Sequence, residues 1–210
     1  MSLNCKKSFL VTGAIASGKS IATKELSLKL TDSEIFDADE CVAQLWRKKN
    51  IQEQIKEAFN LKSELTDIVK LKSLLVKKLI ENPCKRKELE AILHPEVEQV
   101  WLSRYQAWMK NKNKSYFISE IPLLNSQDSS PYQGEVILVG ISPSLQIQRL
   151  RQRLSSKGIR TKDKQQSIIE FYLQAQQSWE YSQKQADYFI WNVQGKDFLK
   201  KQINTIINHA

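Results

Sequence analysis

Five short apolar runs, at 9–12, 34–36, 116–119, 136–139 and 188–191, punctuate the chain. Each is about four residues long and mostly β-branched or aromatic, which predicts strands buried on both faces. Between them lie segments of helical period at 18–30, 40–48, 64–80, 95–109, 144–154, 164–183 and 196–208. In the third, Ile68, Leu71, Leu75 and Leu79 recur three or four apart, and Val97, Trp101, Tyr105 and Trp108 do the same in the fourth. Such spacing places them on one helix face. Short strands alternating with helices predict an α/β fold in three layers, with a mostly parallel sheet of about five strands covered on both faces.

The alternation has two irregularities. Residues 37–115 contain only helical patterns, far more than one crossover helix needs, so a helical insertion is expected there. The stretch 154–166 is polar and basic, contains Gly158, and reads as a mobile flap between two helices. The expected organisation is a core of 1–50 and 115–210, an insertion of 51–114 and a lid of 154–176.

Composition narrows the classes. Hydrophobic residues are 41% and charged residues 26% of 210, ordinary for a globular chain, which excludes wholesale disorder. No apolar run reaches the roughly 18 residues needed to span a bilayer, and the apolar stretch after the basic start is broken at Thr12 and Gly13, so neither membrane insertion nor secretion is expected. Cys5, Cys41 and Cys84 are odd in number and scattered, against a disulfide framework or a CxxC metal site. A cytoplasmic location is expected.

The charge is +9, from 32 Lys and Arg against 23 Asp and Glu. It is uneven: 18 basic and 15 acidic residues fall in 1–105, but 14 and 8 in 106–210. The densest stretch holds Arg149, Arg151, Arg153, Lys157, Arg160, Lys162 and Lys164 against Asp163 alone. That segment calls for an anion.

The anion is named by the first strand. Residues 9–12 run into Gly13-Ala14-Ile15-Ala16-Ser17-Gly18-Lys19-Ser20 and then a helical pattern, a Walker A loop in its required context. Its glycines let backbone N–H groups turn around phosphate oxygens, Lys19 reaches the β- and γ-phosphates, and the Ser20 hydroxyl can coordinate Mg²⁺. ATP is expected on residues 13 to 21, Ile21 included, and the fold is expected to be of the P-loop NTPase type. Asp37 and Asp39 follow the second strand, at the sheet edge where ligands bind. A carboxylate there can take the proton of a hydroxyl attacking a γ-phosphate, and Asp is also a favoured N-cap for the helix that follows. Glu120 ends the third strand, either as a Walker-B-like acid near Mg²⁺ or as a turn residue.

With these motifs in order, the chain resembles the dephospho-CoA kinase family. The Walker loop is similar to that family's G-G-I-G-S-G-K-S, and Asp37-Ala38-Asp39 to its D-A-D. Asn82-Pro83 with Arg86, and Leu89-Glu90 through His94-Pro95, resemble its D-P-x-x-R and L-E-x-x-x-H-P. Ile121-Pro122-Leu123-Leu124 matches I-P-L-L, residues 146–153 match Q-x-x-R-x-x-x-R, and Ala186-Asp187 through Asn192 match A-D-x-x-I-x-N. The resemblance implies ATP-dependent phosphorylation of the ribose 3′-hydroxyl of dephospho-CoA. It implies Asp39 as base with Asp37 beside it, His94 in the acceptor-binding insertion or else a capping or packing histidine, and Arg149 and Arg153 on one helix face as lid residues that hold phosphates or else a solvated basic face. Gln176 and Asn192 are candidate nucleotide contacts or ordinary surface amides. Ala43, Ser126 and Leu154 stand where the family usually has Arg, Glu and Asp, and the stretch from Arg153 to Gln176 is longer than usual.

Other readings are weaker. A nucleoside or nucleotide kinase would share the ATP site and differ in acceptor. A nucleic-acid-dependent ATPase lacks support, since no basic stripe interleaves with aromatics. Trp46, Trp101, Trp108, Trp179 and Trp191 read as packing residues. The expected partners are ATP and dephospho-CoA, with no nucleic acid and no membrane, for a monomer or weak homo-oligomer.

Overall fold

The computed structural model describes residues 6–62, 67–122, 131–174, 176 and 179–209. Leu123, Leu124 and Ser126 of the sequence reading lie outside them. The chain divides into two units, one of Met1–Asp37 with Leu102–Ala210 and the other of Ala38–Trp101.

The first unit is built on β1 (Lys7–Gly13), β2 (Ser33–Asp37), β3 (Tyr116–Glu120), β4 (Glu135–Gly140) and β5 (Tyr188–Trp191). They form one sheet in the order β2-β3-β1-β4-β5, and every pairing is parallel. The five expected strands are therefore all present. β1 runs through the centre because it is apolar on both faces: Phe9, Leu10 and Val11 are all buried. Phe9, Val11, Ile118, Ile137, Val139 and Ile190 share a core with Ala22 and Leu26 of α1 (Lys19–Lys29) and with Leu199, Ile203 and Ile206 of α9 (Lys196–His209). On the other face Phe117 meets Tyr105 and Trp108, with ring centroids 5.6 and 5.4 Å apart. Helix, sheet, helix is the three-layer arrangement.

The edges of the sheet are blunted by side chains rather than left open to another strand. At β2, Arg104 donates to the Ile35 carbonyl at 2.9 Å and to Glu34 at 3.0 Å. At β5, Gln202 accepts from the Trp191 N–H at 2.9 Å and donates to its carbonyl at 3.0 Å.

Between β4 and β5 come α6 (Pro143–Ser156), α7 (Lys162–Gln174) and α8 (Trp179–Lys184). The single helix expected over 164–183 is thus two. The expected flap at 154–166 is a helix–turn–helix. Gly158 takes a left-handed φ of 82° after α6, and the Ile159 N–H returns to the Leu154 carbonyl at 3.0 Å, a glycine-capped helix end. Gln165 then ties the turn, donating to Ser155 Oγ at 2.9 Å and to the Ile159 carbonyl at 2.6 Å.

The second unit is helical. It holds α2 (Ala38–Leu45), α3 (Lys49–Ala58), α4 (Ile68–Glu81) and the start of α5 (Arg86–Lys110). α3 was not expected, although Ile51 and Ile55 are buried one turn apart. α4 is capped by Asp67, which accepts from the N–H groups of Val69 and Lys70 at 2.8 and 3.2 Å. It buries Leu71, Leu75 and Leu79, the face read from the sequence. α5 begins at Arg86 and carries Pro95 in its interior. Proline removes one intrahelical bond there, but Leu93, Val97 and Trp101 are buried around it and hold the helix in place. His94 is therefore a mid-helix residue, half-buried, and not an N-cap.

Candidate nucleotide-binding site

β1 lies between β3 and β4, so the chain crosses from one half of the sheet to the other around it. The crevice at the carboxyl end of such a strand is the ligand position of an open α/β sheet. There the chain turns through Gly13–Gly18 into α1.

Two glycines are required by contact as well as by conformation. Gly13 has φ 145°, and a Cβ on it would sit 2.3 Å from the Val139 carbonyl oxygen. Gly18 has φ 100°, and a Cβ would sit 2.1 Å from Asn192 Nδ2. Ala16 adopts φ 61° without being glycine. Gly18→Ala is expected to lower stability by about 2 to 4 kcal/mol, from backbone strain and a displaced buried amide. Ala16→Gly is expected to raise it by about 0.5 kcal/mol, because relief of the left-handed strain exceeds the added chain entropy. Urea denaturation reads both, and a loss above about 1 kcal/mol in Ala16→Gly would refute strain at that residue.

What organises the loop is the fate of its carbonyls. Lys19 Nζ donates to the Gly13 and Ala14 oxygens at 3.0 and 3.1 Å. Gln146 Nε2 donates to the Ile15 oxygen at 2.9 Å. Arg149 Nη1 donates to the Ala16 and Ser17 oxygens, both at 3.3 Å, and Asn192 Nδ2 donates to the Ser17 oxygen at 2.7 Å. Five consecutive carbonyls, 13 to 17, are thus held by side chains. In a trans peptide the N–H points opposite to the C=O. Fixing the carbonyls of Ile15 and Ser17 therefore aims the N–H groups of Ala16 and Gly18 the other way, and the first turn of α1 adds its own amides and its positive end. The result is a set of donors at one helix end suited to an anion.

Arg149 also donates to the Asn192 carbonyl through Nη2 at 3.3 Å. Burial, and then the nearby charge of Arg153, push its guanidinium below the ordinary value, yet it stays a cation at physiological pH. Asn192 is buried, at 4% exposure, so it is not a surface amide. Neither is Gln176: its Oε1 accepts from the Ile15 N–H at 2.9 Å and from Gln146 Nε2 at 2.7 Å. Ile21, expected among the ATP contacts, donates its N–H to the Gly18 oxygen at 3.0 Å. Gln146 is the contact that the sequence reading did not list as a site residue, though its place three residues before Arg149 put it on the same helix face.

The acidic residues sit at the same sheet edge. Ser20 Oγ donates to Glu120 Oε1 at 2.8 Å, and Glu120 is buried, at 4% exposure. Asp37 is in register with Glu120 across the β2–β3 pair. The Ser20 hydroxyl and the Glu120 carboxylate are a pair of hard-oxygen donors that fits Mg²⁺. Lys19, Ser20, Glu120, Asp37, Arg149 and Asn192 are thus brought together in the first unit. Asp39 stands in the first turn of α2, and His94 in α5, both in the second unit.

A family model described as dephospho-CoA kinase matches residues 9–197. A dephospho-CoA kinase of Fusobacterium nucleatum is 28% identical over 198 residues, covering 92% of this chain and 93% of that one. Among solved structures, dephospho-CoA kinase from Campylobacter jejuni superposes with a TM-score of 0.60 at 23% identity, covering 97% of this chain and 96% of that one. The Thermus thermophilus protein TT1252 does so with a TM-score of 0.70 at 20% identity, covering 98% and 97%. At these identities the solved structures speak for the fold.

Proposed function

The chain belongs to the dephospho-CoA kinase family, an ATP-dependent kinase family, and on that premise we propose how its residues carry the γ-phosphoryl group of ATP to the ribose 3′-hydroxyl of dephospho-CoA. The observation that carries the proposal is the tethering of the Ile15 and Ser17 carbonyls, which turns the N–H groups of Ala16 and Gly18 toward a phosphate chain. ATP lies along residues 13 to 21, with Asn192 bracing the loop beside it. Lys19 exchanges its two carbonyl partners for the β- and γ-phosphates and holds the charge that spreads over the transferring group. Mg²⁺ would be held by Ser20 and Glu120, and it neutralises charge on the phosphates when bound.

Asp39 takes the proton of the acceptor hydroxyl, and Asp37 flanks it. His94 contributes to acceptor binding in the helical insertion. Arg149 supports the loop and, with Arg153 one turn on, adds positive charge on the γ-phosphate side. The segment 154–176, of which residue 175 lies outside the described residues, acts as a lid. Closure excludes water, which would otherwise take the phosphoryl group.

The reading includes a monomer or weak homo-oligomer in the cytoplasm, in keeping with three scattered cysteines. Among the described residues no helix is long and apolar enough to cross a membrane. A coupled assay for ADP, run with Mg²⁺ and ATP against dephospho-CoA and against nucleoside and nucleotide acceptors in competition, tests the proposal. Turnover is expected with dephospho-CoA, and preference for another acceptor would overturn the assignment.

A further inference from the structure

The peptide units on either side of Ile15 are gripped by two glutamine side chains that also grip each other. The Ile15 N–H donates to Gln176 Oε1 at 2.9 Å, Gln146 Nε2 donates to the same oxygen at 2.7 Å, and Gln146 Nε2 donates to the Ile15 carbonyl at 2.9 Å. The ring leaves no choice of amide orientation. A backbone N–H can only donate, so the atom of Gln176 facing it must be the oxygen. The atom of Gln146 facing that oxygen must then be the nitrogen, whose two hydrogens serve Gln176 and the Ile15 carbonyl. Gln146 is buried, at 7% exposure, so neither bond is easily replaced by water.

Its position gives the ring a purpose. Gln146 lies on α6, which leads into the basic helix–turn–helix, and Gln176 lies two residues after α7, which leads out of it. Both ends of that segment are therefore pinned to a single residue of the phosphate loop. The Ile15 carbonyl sets the plane of the peptide whose N–H, on Ala16, faces the phosphate side.

We propose that Gln146 and Gln176 are positioning residues, a latch that ties the helix entering the lid and the lid's last residue to the conformation of the nucleotide loop, so that lid placement and nucleotide affinity rise and fall together. The proposal rests on reading the loop as the ATP site and 154–176 as a lid. It assigns opposite roles to two chemically identical side chains: Gln146 is purely a donor in the ring and Gln176 purely an acceptor.

Glutamate substitution separates the roles. Gln176→Glu keeps an acceptor for both donors, whereas Gln146→Glu sets a carboxylate against two acceptors. The two substitutions place the same charge at neighbouring positions, so general repulsion of the nucleotide is common to both. Titration calorimetry of the full chain with MgADP is expected to show Gln146→Glu binding about tenfold more weakly than Gln176→Glu, and Gln176→Leu about tenfold more weakly than the unsubstituted protein. Should Gln146→Glu be too unstable to titrate, exchange of the Ile15 amide decides: protection is expected to persist in Gln176→Glu and to fall in Gln176→Leu. Equal affinities for the two glutamate variants, or equal protection in Gln176→Glu and Gln176→Leu, would overturn the latch. Failure of the unsubstituted protein to bind MgADP would overturn the ATP-site reading, and the latch with it.

Discussion

Lys19→Met is expected to reduce kcat by about a thousandfold while leaving the protein folded. Lys19 is buried, at 8% exposure, and its ammonium is spent on the Gly13 and Ala14 carbonyls. Methionine keeps most of the side-chain volume, so the packing under the loop survives, but the two carbonyl contacts and the charge are lost together. The charge matters most where negative charge grows during transfer, inside a loop shielded from water, and a group used mainly there shows in kcat more than in KM. Losing the contact that Lys19 makes to the β-phosphate adds a second effect, which weakens MgADP binding about tenfold. Single-turnover phosphoryl transfer with saturating dephospho-CoA, alongside a thermal melt, measures the first. A folded variant with kcat within tenfold of the unsubstituted enzyme would remove Lys19 from transition-state stabilisation.

Asp39→Asn is expected to lower kcat by about two to four orders of magnitude with MgADP affinity changed by less than threefold. Asparagine is nearly isosteric and still hydrogen-bonds a hydroxyl, but its amide cannot take the proton that leaves as the 3′-oxygen attacks. Binding of the acceptor therefore survives better than turnover. The companion variant Asp37→Asn serves as the control, since Asp37 ends β2 in register with Glu120, the carboxylate proposed to hold Mg²⁺ with Ser20. Its effect should lessen at raised Mg²⁺ concentration, and that of Asp39→Asn should not. If Mg²⁺ rescues both alike, the division of labour between the two carboxylates is wrong.

The sheet was legible because each strand carries its own signal. Val11 and Ile137, for instance, sit in short β-branched runs that have no other comfortable conformation. α5 was read nine residues short because Pro95 looks like a first-turn proline, a local rule overridden by Leu93, Val97 and Trp101 packing on either side of it. The 154–166 stretch reads as a flap from its polar composition, and the helix–turn–helix form given to it by left-handed Gly158 and the tie from Gln165 leaves no mark in that composition. The phosphate loop could be read directly, since Lys19, Ser20 and the two glycines act within a few residues of one another. Its outer braces Arg149 and Asn192 are singled out through the family motifs and not by local pattern, because the bond from Gln146 to Ile15 spans 131 positions and that from Asn192 to Ser17 spans 175. Contacts of that reach leave no periodic trace in a sequence.

That long reach also orders events during synthesis. The Gly-Lys-Ser segment is made well before the two side chains that hold the Ser17 carbonyl, Arg149 and Asn192. β1 likewise waits for β3 and β4 before it has a neighbour on either side. Pairings this distant form late and slowly. A nascent chain therefore carries the phosphate loop without its outer braces until residues 146 to 192 have been made. Termination between the Walker motif and β5 leaves a chain that has the motif but lacks Asn192 to brace it.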